Sequence, residues 1–386
     1  MVKPDYNGGS IANLMSSIAS ACNGKTPYAN LRGLDINEIK NSRNIILLVF
    51  DGLGYNYVMS HKDSFMASNM KGKMTSVFPS TTASAVTTFL SGLPPQQNGM
   101  IGWFVYLKEL GSVSPILRYC ARGGSAPFNP EIAEPEKLIN VEPFSSKIRR
   151  NSYILTDRII AHSNFNSVFS KGSKTTAYRE GNMHDMFRKL EKIVKSKEKK
   201  YVYAYWPCFD AVAHDFGVKS AKTRKHFKEI NKRLKKFMQR IRGSDTTLII
   251  TADHGHLDVP KNKVINISKD HPKLYECLSM PLSGDVRAAC CYVKLGKERQ
   301  FLDYMRTKFK DSFDVHKSSD ILKRNFYGLG KPNPKLSERV GDYIVISKGE
   351  WVFIDRVMGE KEFDLIGNHS GLSKDEMLVP LIILRS

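Results

Sequence analysis

The chain has 386 residues, 41% of them apolar and 25% charged, with a formal charge of +21. This balance is that of a folded globular chain, long enough for one large domain or two ordinary ones, and it excludes a disordered or fibrous polymer. No apolar run approaches the roughly 18–20 residues that cross a bilayer, and six scattered cysteines without CxxC spacing exclude a disulfide framework or a zinc ribbon.

At the N-terminus, MVKPDYNGGS lacks the charged-then-apolar layout of a signal segment, and the expected setting is a reducing cytoplasm. NIILLVF (44–50), nearly continuous in large aliphatics, predicts a buried strand. VFPSTTASAVTTFLSG (77–92) follows, with seven hydroxyls: Ser80, Thr81, Thr82, Ser84, Thr87, Thr88 and Ser91. Pro79 suits the last extended position or the first turn of a helix over ASAVTTFL. YVYAYW (201–206) and TLIITA (247–252) read as two more buried strands. Between them, Phe227, Ile230, Leu234, Phe237, Met238 and Ile241 recur at helical spacing, so the lysines around them form a wet face. That segment and FRKLEKIVKSKEKK (187–200) carry much of the positive charge. Both read as solvated surface, with no aromatic interleaving and no nucleic-acid motif. RAACCYVKL (287–295), ERQFLDYMRTKF (298–309) and LVPLIILRS (378–386) read as strand, helix and strand.

Strands alternating with crossover helices predict one α/β domain over 1–386, with a mostly parallel sheet and helices on both faces. Segments 104–175 and 258–365, less regular and richer in Gly and Pro, are expected insertions capping the sheet's carboxyl edge. Ligands of such sheets bind at that edge. Asp51 follows the first strand, Asp210 and His214 follow the second, and Asp253-His254-Gly255 follows the third. His369 stands just before the last. Three aspartates and three histidines on one rim suit a metal site with mixed oxygen and nitrogen donors, zinc first, manganese or iron next. Six residues can give three ligands to each of two ions. Two close ions serve phosphoryl chemistry, and they make a Ser or Thr a usable nucleophile. A hydroxyl at the start of the helix after Pro79 would also sit in the field of unpaired backbone N–H groups.

The chain resembles the type I phosphodiesterase and nucleotide pyrophosphatase branch of the alkaline phosphatase superfamily. The resemblance rests on GGSIANL (8–14), FDGLG (50–54), SVFPSTTASAVTTFLSGLPPQQNGMIG (76–102), YAYWPCFDAVAHDFG (203–217), TADHGH (251–256), PLSGDVR (281–287) and GNHSGLSKDEMLVPLI (367–382). It implies a site for two zinc ions and a covalent phospho-threonine or phospho-serine intermediate. Carried over by position, Asp210, His214 and His369 hold one ion. Asp51, Asp253 and His254 hold the other, with the nucleophile's oxygen as a further ligand. The nucleophile commonly lies ten residues before a glycine that here is Gly92, which selects Thr82, with Thr81 as rival and as candidate helix cap. Asn98 stands where the family usually has histidine, and Ala83 and Ser84 stand where extracellular relatives carry a phosphate-holding Asn. The C/S-x-P-x-R signature of sulfatases is absent, which argues against sulfate esters. Asn98, Trp103, Thr81 and His256 are candidate substrate contacts. Trp103 and Trp206 could stack on a base or lie in the core, and His256 could equally be a loop histidine packed on the rim.

The expected activity is cleavage of phosphodiester or pyrophosphate bonds in a small, nucleotide-like substrate. The absence of an arginine near Thr82 favours diesters over monoesters. A phosphomonoesterase and a phosphonate hydrolase or phosphotransferase remain alternatives on the same scaffold. A non-catalytic polyanion-binding protein is the competitor from another class, and it predicts decayed metal ligands.

Overall fold

Seven strands build the central sheet of the computed structural model, which describes all 386 residues. In chain order they are β1 (Asn44–Phe50), β2 (Met70–Thr75), β5 (Asn151–Asp157), β6 (Ser173–Tyr178), β7 (Lys200–Trp206), β8 (Thr246–Thr251) and β17 (Leu378–Arg385). β3 (Phe104–Leu107) and β4 (Ser112–Pro115) belong to a second sheet, as do β11 (Ser283–Asp285), β12 (Ala288–Cys291), β13 (Phe313–Lys317) and β14 (Tyr343–Ser347). Two short pairs complete the set: β9 (Leu257–Asp258) with β16 (Gly367–Asn368), and β10 (Val264–Asn266) with β15 (Val352–Ile354).

The central sheet runs β2-β17-β8-β1-β7-β5-β6 and is parallel apart from β17, which is antiparallel to both neighbours. β1, β7 and β8 are buried along their whole length, as their unbroken apolar runs require of strands covered on both faces. The tyrosines of β7 show the covering. Tyr203 packs on Phe89 of the helix Thr82–Ser91, while Trp206, on the opposite face, stacks on His226 of the helix Ala221–Arg240. Trp206 is thus a core residue, 1% exposed.

The expected insertion 104–175 ends earlier than its composition suggests. Residues 151–178 supply β5 and β6, which extend the central sheet in parallel from β7. β6 is an edge strand with an exposed, polar middle, so it lacks the aliphatic run that marks its neighbours. Segment 258–365 holds most of the second sheet. One continuous core of 83 buried residues includes Ile46 and Ile250 of the central sheet and Val105, Ala288 and Ile344 of the second, which ties the two sheets into one body.

A buried ion pair reinforces that tie. Arg287, between β11 and β12, meets Glu376 through Nε–Oε1 at 2.6 Å and Nη2–Oε2 at 3.1 Å, and both side chains are within 1% of full burial. The Gly371 and Ser373 N–H groups also donate to Glu376. Burial opposes its charge, but Arg287 and these donors hold the carboxyl below its usual range. A depressed pKa stabilises the fold above the unfolded value of about 4.3, and that stabilisation is lost as pH falls through the folded value. Glu376→Ala strands a buried guanidinium, and the expected loss is about 3–5 kcal/mol in denaturant unfolding at pH 7, shrinking as the pH is lowered below 4.

Candidate active site

The parallel register sets the site. Phe50 pairs with Trp206 and Val49 with Thr251, so β7, β1 and β8 end side by side. Asp51 follows β1 directly, and its N–H donates to Trp206 O at 3.0 Å. The helix Cys208–Phe216 begins two residues beyond β7, and its four-residue step puts Asp210 and His214 on one face. Asp253 and His254 follow β8. β16 brings in His369 from the far end of the chain.

These residues form two touching clusters. In the first, Asp210 Oδ1 lies 3.3 Å from His214 Nε2, 2.9 Å from His256 Nε2 and 3.8 Å from His369 Nε2. In the second, His254 Nε2 lies 3.3 Å from Asp51 Oδ1 and 3.5 Å from Asp253 Oδ2. His254 stacks on His369 at 3.8 Å between ring centroids, which joins the clusters. Asp253 Oδ1 accepts the N–H groups of Gly52 and His254, both at 2.9 Å, and Tyr205 Oη donates to Asp51 Oδ2.

The hydroxyl-rich helix points one oxygen here. Thr82 Oγ1 is 3.1 Å from His254 Nε2 and 3.5 Å from Asp51 Oδ1. The other six are taken elsewhere. Thr81 donates to Asp285 Oδ2 at 2.6 Å, Ser80 to Gly371 O, and Ser84 to Met100 O. Thr87, Thr88 and Ser91 donate back to the carbonyls four residues earlier. Thr81 is the N-cap by backbone, but its hydroxyl has gone to Asp285, so no side chain caps the first-turn amides.

Protonation follows from geometry. Burial and the neighbouring charges of Asp210 and Asp253 push the Asp51 carboxyl well above its usual range. Burial works against the charge of Asp210, yet His214 and His256 hold it well below that range. Burial likewise opposes a proton on His214, and Asp210 outweighs it, pushing His214 up to about 9. The Nδ1 atoms of His214, His254 and His256 face the carbonyls of Gly367, Gly255 and Gly52 at 2.6, 3.1 and 3.1 Å. Carbonyls only accept, so each Nδ1 carries the hydrogen and each Nε2 turns to the cluster. Four buried oxygen and nitrogen atoms there have no hydrogen-bond partner: Asp210 Oδ1, Asp253 Oδ2, His256 Nε2 and His369 Nδ1. Unpaired acceptors at this density are costly by themselves. Two groups that share His254, namely Asp210 with His254, His256 and His369, and Asp51 with Asp253 and His254, bring their ligand atoms close enough to hold metal ions, and a divalent cation would satisfy the converging Nε2 and carboxylate oxygens.

Three contacts lie outside the sequence reading or revise it. Asn98 is buried in a turn, its Oδ1 accepting from Met100 N and its Nδ2 donating to Leu93 O, so it does not reach the site. Asp285 is an addition. It accepts from Thr81 and from Trp103 N–H at 3.2 Å, beside the helix start. Tyr205 is another, and the alternation in YVYAYW, ending beside Asp51, is the signal that could have found it. Trp103 is half-buried and lines a cleft of about 1640 Å³, with Arg118, Lys261, Lys269 and Arg356 among its other walls. The cleft borders the site through Asp285 and Ile366, whose N–H donates to His214 O at 2.8 Å.

Residues 45–372 match the family model for type I phosphodiesterase / nucleotide pyrophosphatase. No curated protein matches the chain significantly. Among solved structures, it is similar to murine ectonucleotide pyrophosphatase / phosphodiesterase 5, seen as an inactive variant in complex with AMP. That likeness has 17% identity, covers 87% of each chain and gives a TM-score of 0.66. Its human counterpart gives 18% identity and a TM-score of 0.64 over 88% of this chain and 87% of that one. Phosphonoacetate hydrolase from Sinorhizobium meliloti 1021, in complex with phosphonoformate, gives 16% identity and 0.62 over 89% and 90%. At such identities the likeness establishes an alkaline phosphatase-like fold, and the family match spans most of the chain. The chain belongs to the type I phosphodiesterase / nucleotide pyrophosphatase family of phosphohydrolases.

Proposed function

We propose that the protein cleaves phosphodiester or pyrophosphate bonds of nucleotide-like substrates through a covalent phospho-Thr82 intermediate. Asp210, His214 and His369 would hold one divalent cation, and Asp51, Asp253 and His254 the other. Zinc suits this donor set best, with manganese or iron next. Bound there, the cations would supply Lewis-acid polarisation of the phosphoryl group and acidify the oxygens they touch.

The observation that carries the reading is the aim of Thr82. It alone of seven hydroxyls faces the Asp and His rim, and it does so at the first turn of a ten-residue helix. The uncapped first-turn amides point their N–H groups toward the same place and favour a developing phosphoryl anion. They serve where extracellular relatives use an asparagine. Tyr205 fixes the orientation of Asp51, and Asp285 pins Thr81 away from the rim. In the first step the Thr82 oxygen bonds to phosphorus as the bond to the leaving alcohol or phosphate breaks. Water then cleaves the phospho-threonine, returning the Thr82 hydroxyl. The cleft beside Trp103 would take the rest of the substrate; its walls carry both cationic side chains, such as Arg118 and Lys261, and anionic ones, such as Asp270 and Glu362.

The likeness to phosphonoacetate hydrolase supports a second reading, a phosphonate substrate on the same residues. Hydrolysis of bis(4-nitrophenyl) phosphate, 4-nitrophenyl phosphate and phosphonoacetate by one preparation separates diester, monoester and phosphonate preference. Diesterase activity should dominate. Thr82→Ala should lower kcat on the order of 10³-fold or more with an unchanged melting temperature, while Thr81→Val stays within about tenfold of the parent. Full activity in Thr82→Ala would remove Thr82 from the reaction.

Exhaustive chelation should abolish the same activity. Zinc or manganese should restore it, and elemental analysis of the reloaded protein should give two ions per chain. Turnover that survives chelation would rule out the cation reading while leaving the family assignment in place.

A further inference from the structure

We propose that His256 is a fourth protein ligand of the Asp210 cation, so that this position presents one carboxylate and three imidazoles rather than the three donors assigned above. The inference rests on the two-cation reading and adds to it.

His256 is 6% exposed, and its Nε2 lies 2.9 Å from Asp210 Oδ1, closer than either His214 or His369. Neither atom of that approach makes a hydrogen bond. The Gly52 carbonyl, 3.1 Å from His256 Nδ1, places the ring hydrogen on the far side of the imidazole. Two lone pairs therefore face each other at close range, an arrangement that a cation between them resolves. The backbone builds this placement. β9 and β16 pair with Asn368 opposite Leu257, and continuing that antiparallel register by one residue sets His369 opposite His256. Gly255 separates His254 from His256 and lies so close to Asp375 that an added Cβ would fall 2.0 Å from its carbonyl oxygen. The two rings, 5.3 Å apart, can then serve different clusters. Gly52 has φ +71°, and a Cβ there would overlap the His256 ring at 2.2 Å, so the turn after β1 is shaped to admit that ring.

Four protein donors fill a tetrahedral set, whereas three leave a position open. The two cations are then unequal. The one at Asp210 is held fast and is nitrogen-rich, which favours zinc over manganese. The open coordination falls to the cation of Asp51, Asp253 and His254, beside Thr82.

The test uses the full chain loaded with zinc, read by competitive chelator titration and by X-ray absorption at the zinc edge. Asp253→Ala isolates the Asp210 position. There the expected spectrum has three imidazoles, falling to two when His256→Ala is added. In the otherwise unaltered chain, His256→Ala and the bulkier His256→Gln should each weaken the tighter of two zinc ions by about 100-fold, leaving the weaker one unchanged. Equal affinities and an unchanged imidazole count in both folded variants would overturn the proposal and leave the two-cation reading standing. Failure of the unaltered chain to take up zinc at either position would overturn both.

Discussion

The site depends on the register of three neighbouring strands. β7, β1 and β8 are parallel, buried and level at their carboxyl ends. Residues separated by some 200 positions in sequence therefore meet without any long side chain having to reach. Gly52 N–H donating to Asp253 Oδ1 shows how close the two strand ends come. A slip of one residue between β1 and β8 would turn the buried side chains of one strand to the opposite face and separate Asp51 from His254. The large aliphatics of NIILLVF and TLIITA thus serve more than stability, because their packing fixes the spacing of the rim.

That spacing creates an electrostatic problem. Asp51 and Asp253 are nearly inaccessible, Asp210 is close to them, and one unpaired buried carboxylate costs several kcal/mol. The protein meets part of the cost itself. Tyr205 donates to Asp51, and two N–H groups donate to Asp253. These partners do not suffice. Asp51 is still driven toward its neutral form, and Asp210 and Asp253 each keep an oxygen with no donor. Donors are scarce here because the surrounding histidines spend their Nδ1 hydrogens on backbone carbonyls. A pocket intended to be self-sufficient would have a Lys or Arg at its centre. This one has converging lone pairs, the electrostatic complement of a small, doubly charged cation.

The central sheet was legible because its strands are unbroken apolar runs, and the rim was legible because each run ends on an Asp or His. Two things escaped. β6 is an edge strand with only Tyr178 fully buried, so SKTTAY carries no hydrophobic pattern and its composition groups it with the irregular segment rather than with the sheet. Ring directions also escaped. TADHGH contains two histidines, and nothing in their spacing states that His254 Nε2 lies beside Asp51 while His256 Nε2 lies beside Asp210. The same holds for the seven hydroxyls of residues 80–91. The helix is buried on every side except at Thr82, so any side chain it carries must be small and internally satisfied. Thr and Ser qualify because their hydroxyls can bond the carbonyl one turn back. The excess of polarity is a packing solution, and only the hydroxyl at the open end faces the Asp and His rim.

The second sheet reaches into this arrangement through a single hairpin. At the turn from β11 to β12, Asp285, the last residue of β11, points one way and Arg287 the other. Asp285 accepts from Thr81 and from Trp103 N–H, fixing the start of the Thr82 helix and one wall of the cleft. Arg287 grips Glu376, and its backbone N–H donates to Ser370 Oγ at 3.1 Å. Ser370 has φ +92°, a conformation costly for a residue with a side chain, and it directly follows His369. The strain is held by the Arg287 contact on one side and by Glu376 gripping Gly371 and Ser373 on the other. One turn of three residues thus sets both the hydroxyl and the last histidine. Because that turn belongs to the sheet that also walls the cleft, a shift of the Trp103 wall would press on the elements that aim Thr82. One wall of the cleft and the direction of the Thr82 hydroxyl are therefore set by the same three residues, so a displacement of that turn would move both.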